Sequence, residues 1–113
     1  MINYLYGKFS DKQITEFKNK LHKKLFWLLL YKDPKTAQDY ENVDFAKYFA
    51  NLMKEIDGLN ELLCYPTPII EICCKLQAAY MESRSEQFDY QVYRKFVLDA
   101  HNLVDKIGIG DVV

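Results

Sequence analysis

The apolar positions of this chain fall into four amphipathic blocks separated by clear breaks. The first covers residues 11–32. Ile14, Phe17, Leu21, Leu25 and Leu28 recur at three- and four-residue spacing, which places them on one stripe of a helix. Ser10 and Gln13 form an S-x-x-Q capping box at its start, where each side chain satisfies an orphan N–H at the other's position. The block stops at Asp33-Pro34, because proline disfavours helix for the residue before it. Phe26, Trp27 and Leu30 lie off the stripe, on the face that earlier carries Lys12, Lys20 and Lys23. The outer face is therefore basic at its start and apolar at its end.

The polar connection 33–42 predicts no more than a short helical turn from Lys35 onward. A second helix follows over 43–57, capped by Asn42. Phe45, Tyr48, Phe49, Leu52, Met53 and Ile56 form its single buried face, and Gly58 supplies a left-handed C-terminal residue. Leu59, Leu62 and Leu63 fill the next link. The third helix spans 68–83, with Thr67 as cap and Pro68 at the first position, where its missing N–H costs nothing. Ile69, Ile72, Cys73, Leu76 and Tyr80 make its stripe, widened by Ile70, Cys74 and Met81. Only Glu71, Lys75 and Glu82 mark a wet side, so this helix is expected to be the most buried.

Ser85 caps a fourth helix over 86–107. Val92, Phe96, Ala100, Leu103 and Ile107 form its core stripe, flanked by Tyr93, Val97 and Val104. Leu98 is off pattern, among Gln91, Arg94, Asn102 and Asp105. Gly108 and Gly110 end the helix. Residues 1–9, short, aromatic and broken at Gly7, either cover one end of the core or form an extended arm. No repeat of 20–50 residues occurs. The expected architecture is an all-α, antiparallel four-helix bundle forming a single domain over 1–113.

Composition supports that reading. A chain of 113 residues fits one domain, and 50% hydrophobic residues suffice for a core without staples. Net charge is −1, but unevenly spread. Residues 1–35 hold eight Lys against Asp11, Glu16 and Asp33, a net of +5, and the rest carries a net of −6. The first helix is thus expected to dock on acidic neighbours. Cys64, Cys73 and Cys74 form an odd set, and adjacent cysteines rarely bridge, so a reducing compartment is expected. The N-terminus lacks the pattern of a secretory signal, and the longest apolar run, Leu25 to Tyr31, is too short to span a bilayer.

No catalytic constellation stands out. A di-iron bundle needs Glu-x-x-His motifs, which are absent; His22 and His101 stand alone, and Asp99-x-His101 has the wrong spacing for one face. Cys73 and Cys74 point about 100° apart on a helix, which suits packing better than zinc. Neither a metal nor a cofactor is expected, and the cysteines fall on faces where thiol reactivity drops. The chain reads as a non-enzyme. Two kinds of partner stay open. The lysines of the first helix beside Phe26, Trp27 and Tyr31 would suit phosphate contacts with stacking. Against nucleic acid stand the neutral-to-acidic balance and the presence of only Arg84 and Arg94. Protein or membrane contact is favoured by nine Tyr, a residue enriched at interfaces. Tyr90, Arg94 and Leu98 on the fourth helix, with Phe26, Trp27 and Leu30 on the first, are the candidate contact residues.

Certain features taken in order carry a resemblance: Lys32-Asp33-Pro34-Lys35 after the first helix, Pro66-Thr67-Pro68-Ile69-Ile70 opening the third, and Ile107-Gly108 ending the last before a short tail. The chain resembles the immunity proteins of pediocin-like bacteriocins, of the enterocin A immunity type, over most of its length. Its tail, Ile109 to Val113, is shorter than in many members. The resemblance implies an antiparallel four-helix bundle, non-enzymatic and cytoplasmic, that visits the inner face of the membrane. It implies protection of a producing cell by binding a membrane sugar permease of the mannose phosphotransferase type with its bound bacteriocin. It also implies that target choice lies in the C-terminal half, which adds Ile109 of the tail to the candidate contacts.

Overall fold

The computed structural model describes residues 2–4, 7–9, 11–63 and 65–107. Ser10 of the capping box, Cys64, Gly108, Ile109 and Gly110 lie outside them. Two short strands, β1 (Ile2–Tyr4) and β2 (Gly7–Phe9), pair antiparallel with Ile2 opposite Phe9 and Tyr4 opposite Gly7. Four helices make up the rest: α1 (Asp11–Lys32), α2 (Phe45–Leu62), α3 (Thr67–Ser83) and α4 (Tyr90–Val104). A 3-10 turn, Ala37–Tyr40, interrupts the connection from α1 to α2. The architecture is an all-α four-helix bundle.

Contacts across each seam fix the direction of every helix. Tyr31 meets Tyr48 and Lys24 pairs with Glu55, so α1 and α2 run antiparallel. Phe49 packs on Tyr80, and Cys73 lies beside Asp57, which sets α2 against α3. Lys75 reaches Asp99 across the α3–α4 hairpin, 3.6 Å away. His22 stacks on His101 while Tyr93 bonds Leu28, so α4 also runs antiparallel to α1. The pairing of α3 with α4 is the most extensive, and that of α1 with α2 is slight.

The core follows one stripe from each helix: Leu21, Leu25 and Leu28 of α1; Phe49, Leu52 and Ile56 of α2; Ile69, Ile72, Leu76 and Ala79 of α3; Tyr93, Val97, Ala100 and Val104 of α4. No polar or charged residue is buried among the described residues. Burying such aliphatic side chains contributes about 1.5–3 kcal/mol each and holds the bundle together.

The helix boundaries depart from the sequence expectation in ways that have physical causes. Asp44, not Asn42, caps α2, its carboxylate accepting from Lys47 N. Gly58 does not stop α2; the helix continues to Leu62. A glycine inside a helix costs only about 1 kcal/mol, and the next turn recovers more by burying Leu63 and packing Leu59 on the core. The left-handed residue falls instead at Tyr65, with φ 59°. Pro66 stands at the cap of α3, so Thr67 is already helical. Asp89, not Ser85, caps α4 by accepting from Gln91 N, and α4 therefore starts four residues later than expected.

Along α4 and the turn after it the burial shifts to the expected flank: Ala100 and Ile107 are buried as expected, but Tyr93, Val97 and Val104 take the places of Val92, Phe96 and Leu103. Tyr93, Val97, Ala100 and Val104 are wholly buried, whereas Val92 is exposed and Phe96 and Leu103 are half-buried. Tyr93 can occupy the core because its hydroxyl donates to Leu28 O at 2.7 Å. The expectation for α3 is corrected as well. Of its expected inner stripe, Ile69, Ile72 and Leu76 are fully buried and Cys73 and Tyr80 half-buried, while Ile70, Cys74 and Met81 face outward. Lys75 and Glu82, read as the wet side, turn toward α4: Lys75 lies 5.9 Å from the Phe96 ring, and Glu82 accepts from Asp89 N. The long aliphatic stem of Lys75 covers apolar surface while its ammonium reaches Asp99.

Candidate functional site

The C-terminal end of α1 is where the bundle concentrates its polar contacts. The last carbonyls of a helix lack intrahelical partners and must be satisfied from outside. Here Thr36 Oγ1 donates to Leu30 O at 2.7 Å, and Tyr90 Oη donates to Leu29 O at 3.3 Å. One turn further in, Tyr48 Oη donates to Lys24 O. Burial pushes the Tyr48 hydroxyl up to about 12, with Tyr31 and Glu55 adding to it. Burial also raises Tyr90, next to the charge of Asp33. These hydroxyls stay protonated and act as donors, and Tyr48, Tyr90 and Tyr93 each tie a helix to α1.

Tyr90 is therefore half-buried and anchored. Around it, Asp33, Pro34, Lys35, Asp89, Gln91 and Arg94 line a shallow cleft of about 350 Å³. The Asp33-Pro34-Lys35 turn after α1 and the first turn of α4 thus meet in space. The turn is built locally: Asp33 Oδ1 accepts from Lys35 N, and Ala37 N donates to Asp33 O. Arg94 is exposed on the cleft's rim.

At this end of the bundle the α3–α4 turn presents apolar side chains to solvent. Met81, in the last turn of α3, is 70% exposed, and Val92, in the first turn of α4, is exposed too. Phe88 between them packs edge-on against Tyr93 yet keeps over a third of its surface outside. Further along α3, Ile70 is 44% exposed and Cys74 is open. Sequence reasoning missed this stripe as a surface. Its signal was present, since Ile70, Cys74, Gln77 and Met81 keep the i, i+4, i+7, i+11 spacing of one helix face, displaced from the inner stripe.

The three apolar residues of α1 do not act together. Trp27 joins Tyr31 and Tyr40 in an aromatic cluster, with ring centroids 5.7 Å apart in both pairs. The 3-10 turn folds back to make this cluster and partly covers Trp27. Leu30 is half-buried, and Phe26 is 53% exposed. The stacking of His22 on His101 places Phe26 and Leu98 one turn further along their own helices at the same level of the α1–α4 seam. Leu98 is half-buried there.

The two histidines read as solitary in sequence form a pair. Their ring centroids are 4.2 Å apart, and His22 Nε2 lies 3.2 Å from Asp105 Oδ1 without hydrogen-bond alignment. Burial lowers the pKa of His101, His22 lowers it further, and Asp105 opposes both. Lys18 Nζ donates to Asp105 O, and Lys24 pairs with Glu55, so part of the basic excess of α1 is spent on neighbouring helices.

Among the described residues no group of three or more His, Cys, Asp or Glu converges as a metal site requires. Burial and the neighbouring Asp57 push the Cys73 thiol up to about 11, which leaves little thiolate for nucleophilic chemistry. No described helix is long and apolar enough to cross a membrane. What the arrangement offers is a polar cleft at Tyr90 and Arg94 and, at the same end of the bundle, exposed Met81, Phe88 and Val92. No family model, curated protein or solved structure matches this chain.

Proposed function

We propose that this chain is a cytoplasmic, non-enzymatic bacteriocin immunity protein. It protects its producer by stoichiometric binding, at the inner face of the membrane, to a mannose-type sugar permease that holds a pediocin-like bacteriocin. The four-helix architecture agrees with what the sequence resemblance implies. The observation that carries the reading is the turn end of the α3–α4 hairpin. There the Asp33-Pro34-Lys35 turn meets Tyr90 and Arg94 in one cleft, and Met81, Phe88 and Val92 are exposed at the same end of the bundle. An exposed arginine and an anchored tyrosine in one cleft are residue types enriched in interface hot spots. Tyr90 and Arg94 lie in the C-terminal half, where the resemblance locates target choice.

The binding step is tested by affinity capture of the tagged chain from detergent-solubilised membranes of a permease-bearing strain. Capture of the permease is expected only after the bacteriocin is added. It is expected to be lost in Arg94→Glu and Met81→Asp, both of which change exposed positions. Capture that is independent of bacteriocin, or unchanged in both variants, contradicts the reading.

A further inference from the structure

The loosely packed seam between α1 and α2 leaves a half-open groove of about 400 Å³. Its walls are apolar: Leu21 and Ile56 at the floor, with Leu59 and Leu62 beside them. Three lysines, Lys20, Lys24 and Lys54, line it against one acidic residue, Glu55. Lys24 is tied to Glu55 across the seam. Lys20 and Lys54 are exposed, one on each helix of the groove. The other carboxylates of this stretch of α2 do not line the groove, and Asp57 turns to Cys73 on α3. The floor rejects polar groups, and the rim attracts negative charge.

The geometry points to a binding site for a single-chain anionic amphiphile, an acyl chain whose carboxylate lies between Lys20 and Lys54. Binding pockets for small ligands occupy about 300–1,000 Å³, are lined mainly by apolar groups and carry a few polar groups that set orientation. At about 30 Å³ per water-sized group, this groove accommodates a chain of roughly ten to twelve carbons. A carboxylate held by two ammonium groups at the edge of an apolar wall gains charge-assisted hydrogen bonds that a neutral head cannot form. The site is separate from the α3–α4 turn, so it operates whether or not that turn binds a permease.

The test is a titration of the full chain with decanoate below its micellar concentration, followed by NMR of the methyl groups. Saturable shifts are expected at Leu21, Ile56, Leu59 and Leu62, and not at Met81 or Val92. Lys20→Glu and Lys54→Glu are each expected to weaken binding about tenfold, as the loss of one charge-assisted contact implies. Lys95→Glu, on exposed α4 surface, serves as the control and is expected to leave affinity unchanged. Circular dichroism checks that each variant folds. Equal binding of decyltrimethylammonium, shifts confined to other methyls, or no saturable shift overturns the proposal. Groove shifts that follow protein concentration alone also overturn it, because they would assign the groove to a second copy of the chain.

Discussion

The hydroxyl of Tyr93 donates to the main-chain oxygen of Leu28 at 2.7 Å, joining α4 to α1 inside the core. Tyr93 is wholly buried, and Phe45, Phe88 and Tyr90 surround its ring. Burial holds its hydroxyl protonated far above the ordinary range. Removing the hydroxyl alone, in Tyr93→Phe, is expected to cost about 0.5–1.5 kcal/mol, the net value of one such bond. Tyr93→Ala is expected to cost about 3–5 kcal/mol through the cavity left behind. Urea denaturation of both variants separates the two contributions. A Tyr93→Phe protein as stable as the parent would show that the ring alone matters.

Leu76 sits at the centre of α3 and is wholly buried. Leu76→Ala is expected to cost about 2–5 kcal/mol, the sum of lost transfer energy and a residual cavity. A loss below about 1 kcal/mol in chemical denaturation would contradict its place in the core.

Much of this core was legible in the sequence, and the reasons for the misses are specific. The α1 stripe was legible because Leu21 and Leu25 each follow a lysine and Asp33-Pro34 marks the end, but Phe17, expected on that stripe, is exposed. The α4 stripe was ambiguous because apolar residues occupy adjacent pairs: Val92 with Tyr93, Phe96 with Val97, and Leu103 with Val104. Periodicity cannot choose between two stripes one residue apart. The choice is made by Leu28 O, 65 positions away in the chain, which satisfies the Tyr93 hydroxyl. The same limit hid the His22–His101 pair, which depends on helix register. Of the candidate contacts, Tyr90 and Arg94 are brought into one cleft, while Phe26 is exposed and Leu98 half-buried. Trp27 goes to an aromatic cluster with Tyr31 and Tyr40. That cluster requires the 3-10 turn to fold back, and local pattern does not encode such a return.

Gly58 lies within α2, and a Cβ added there meets no atom within 4 Å. Gly58→Ala is therefore expected to stabilise the protein by about 0.5–1 kcal/mol, because alanine loses less backbone entropy in a helix. A rise in the denaturation midpoint checks this. A fall would mean that the backbone at this position does not hold helix.

The imidazole pair predicts a pH dependence. The folded pKa of His101 lies below its ordinary value, first through burial and then through His22. A depressed folded pKa means that the folded state favours the neutral ring. This contribution is fully present above the unfolded value near 6.5 and is lost as pH falls through the folded value. Stability is expected to fall as pH drops below about 6.5, and His101→Gln is expected to flatten that fall. Denaturation curves across this range decide it. A variant with the same slope as the parent removes His101 from the explanation.

The immunity reading is tested most directly by survival. The parent chain and a Met81→Asp, Arg94→Glu double variant are expressed in a strain sensitive to pediocin-like bacteriocins, with folding checked by circular dichroism. The strain is then challenged across a panel of these peptides. The account predicts that the parent raises the inhibitory concentration of at least one peptide, and that the folded double variant does not. A parent that protects against none of them contradicts the proposed function.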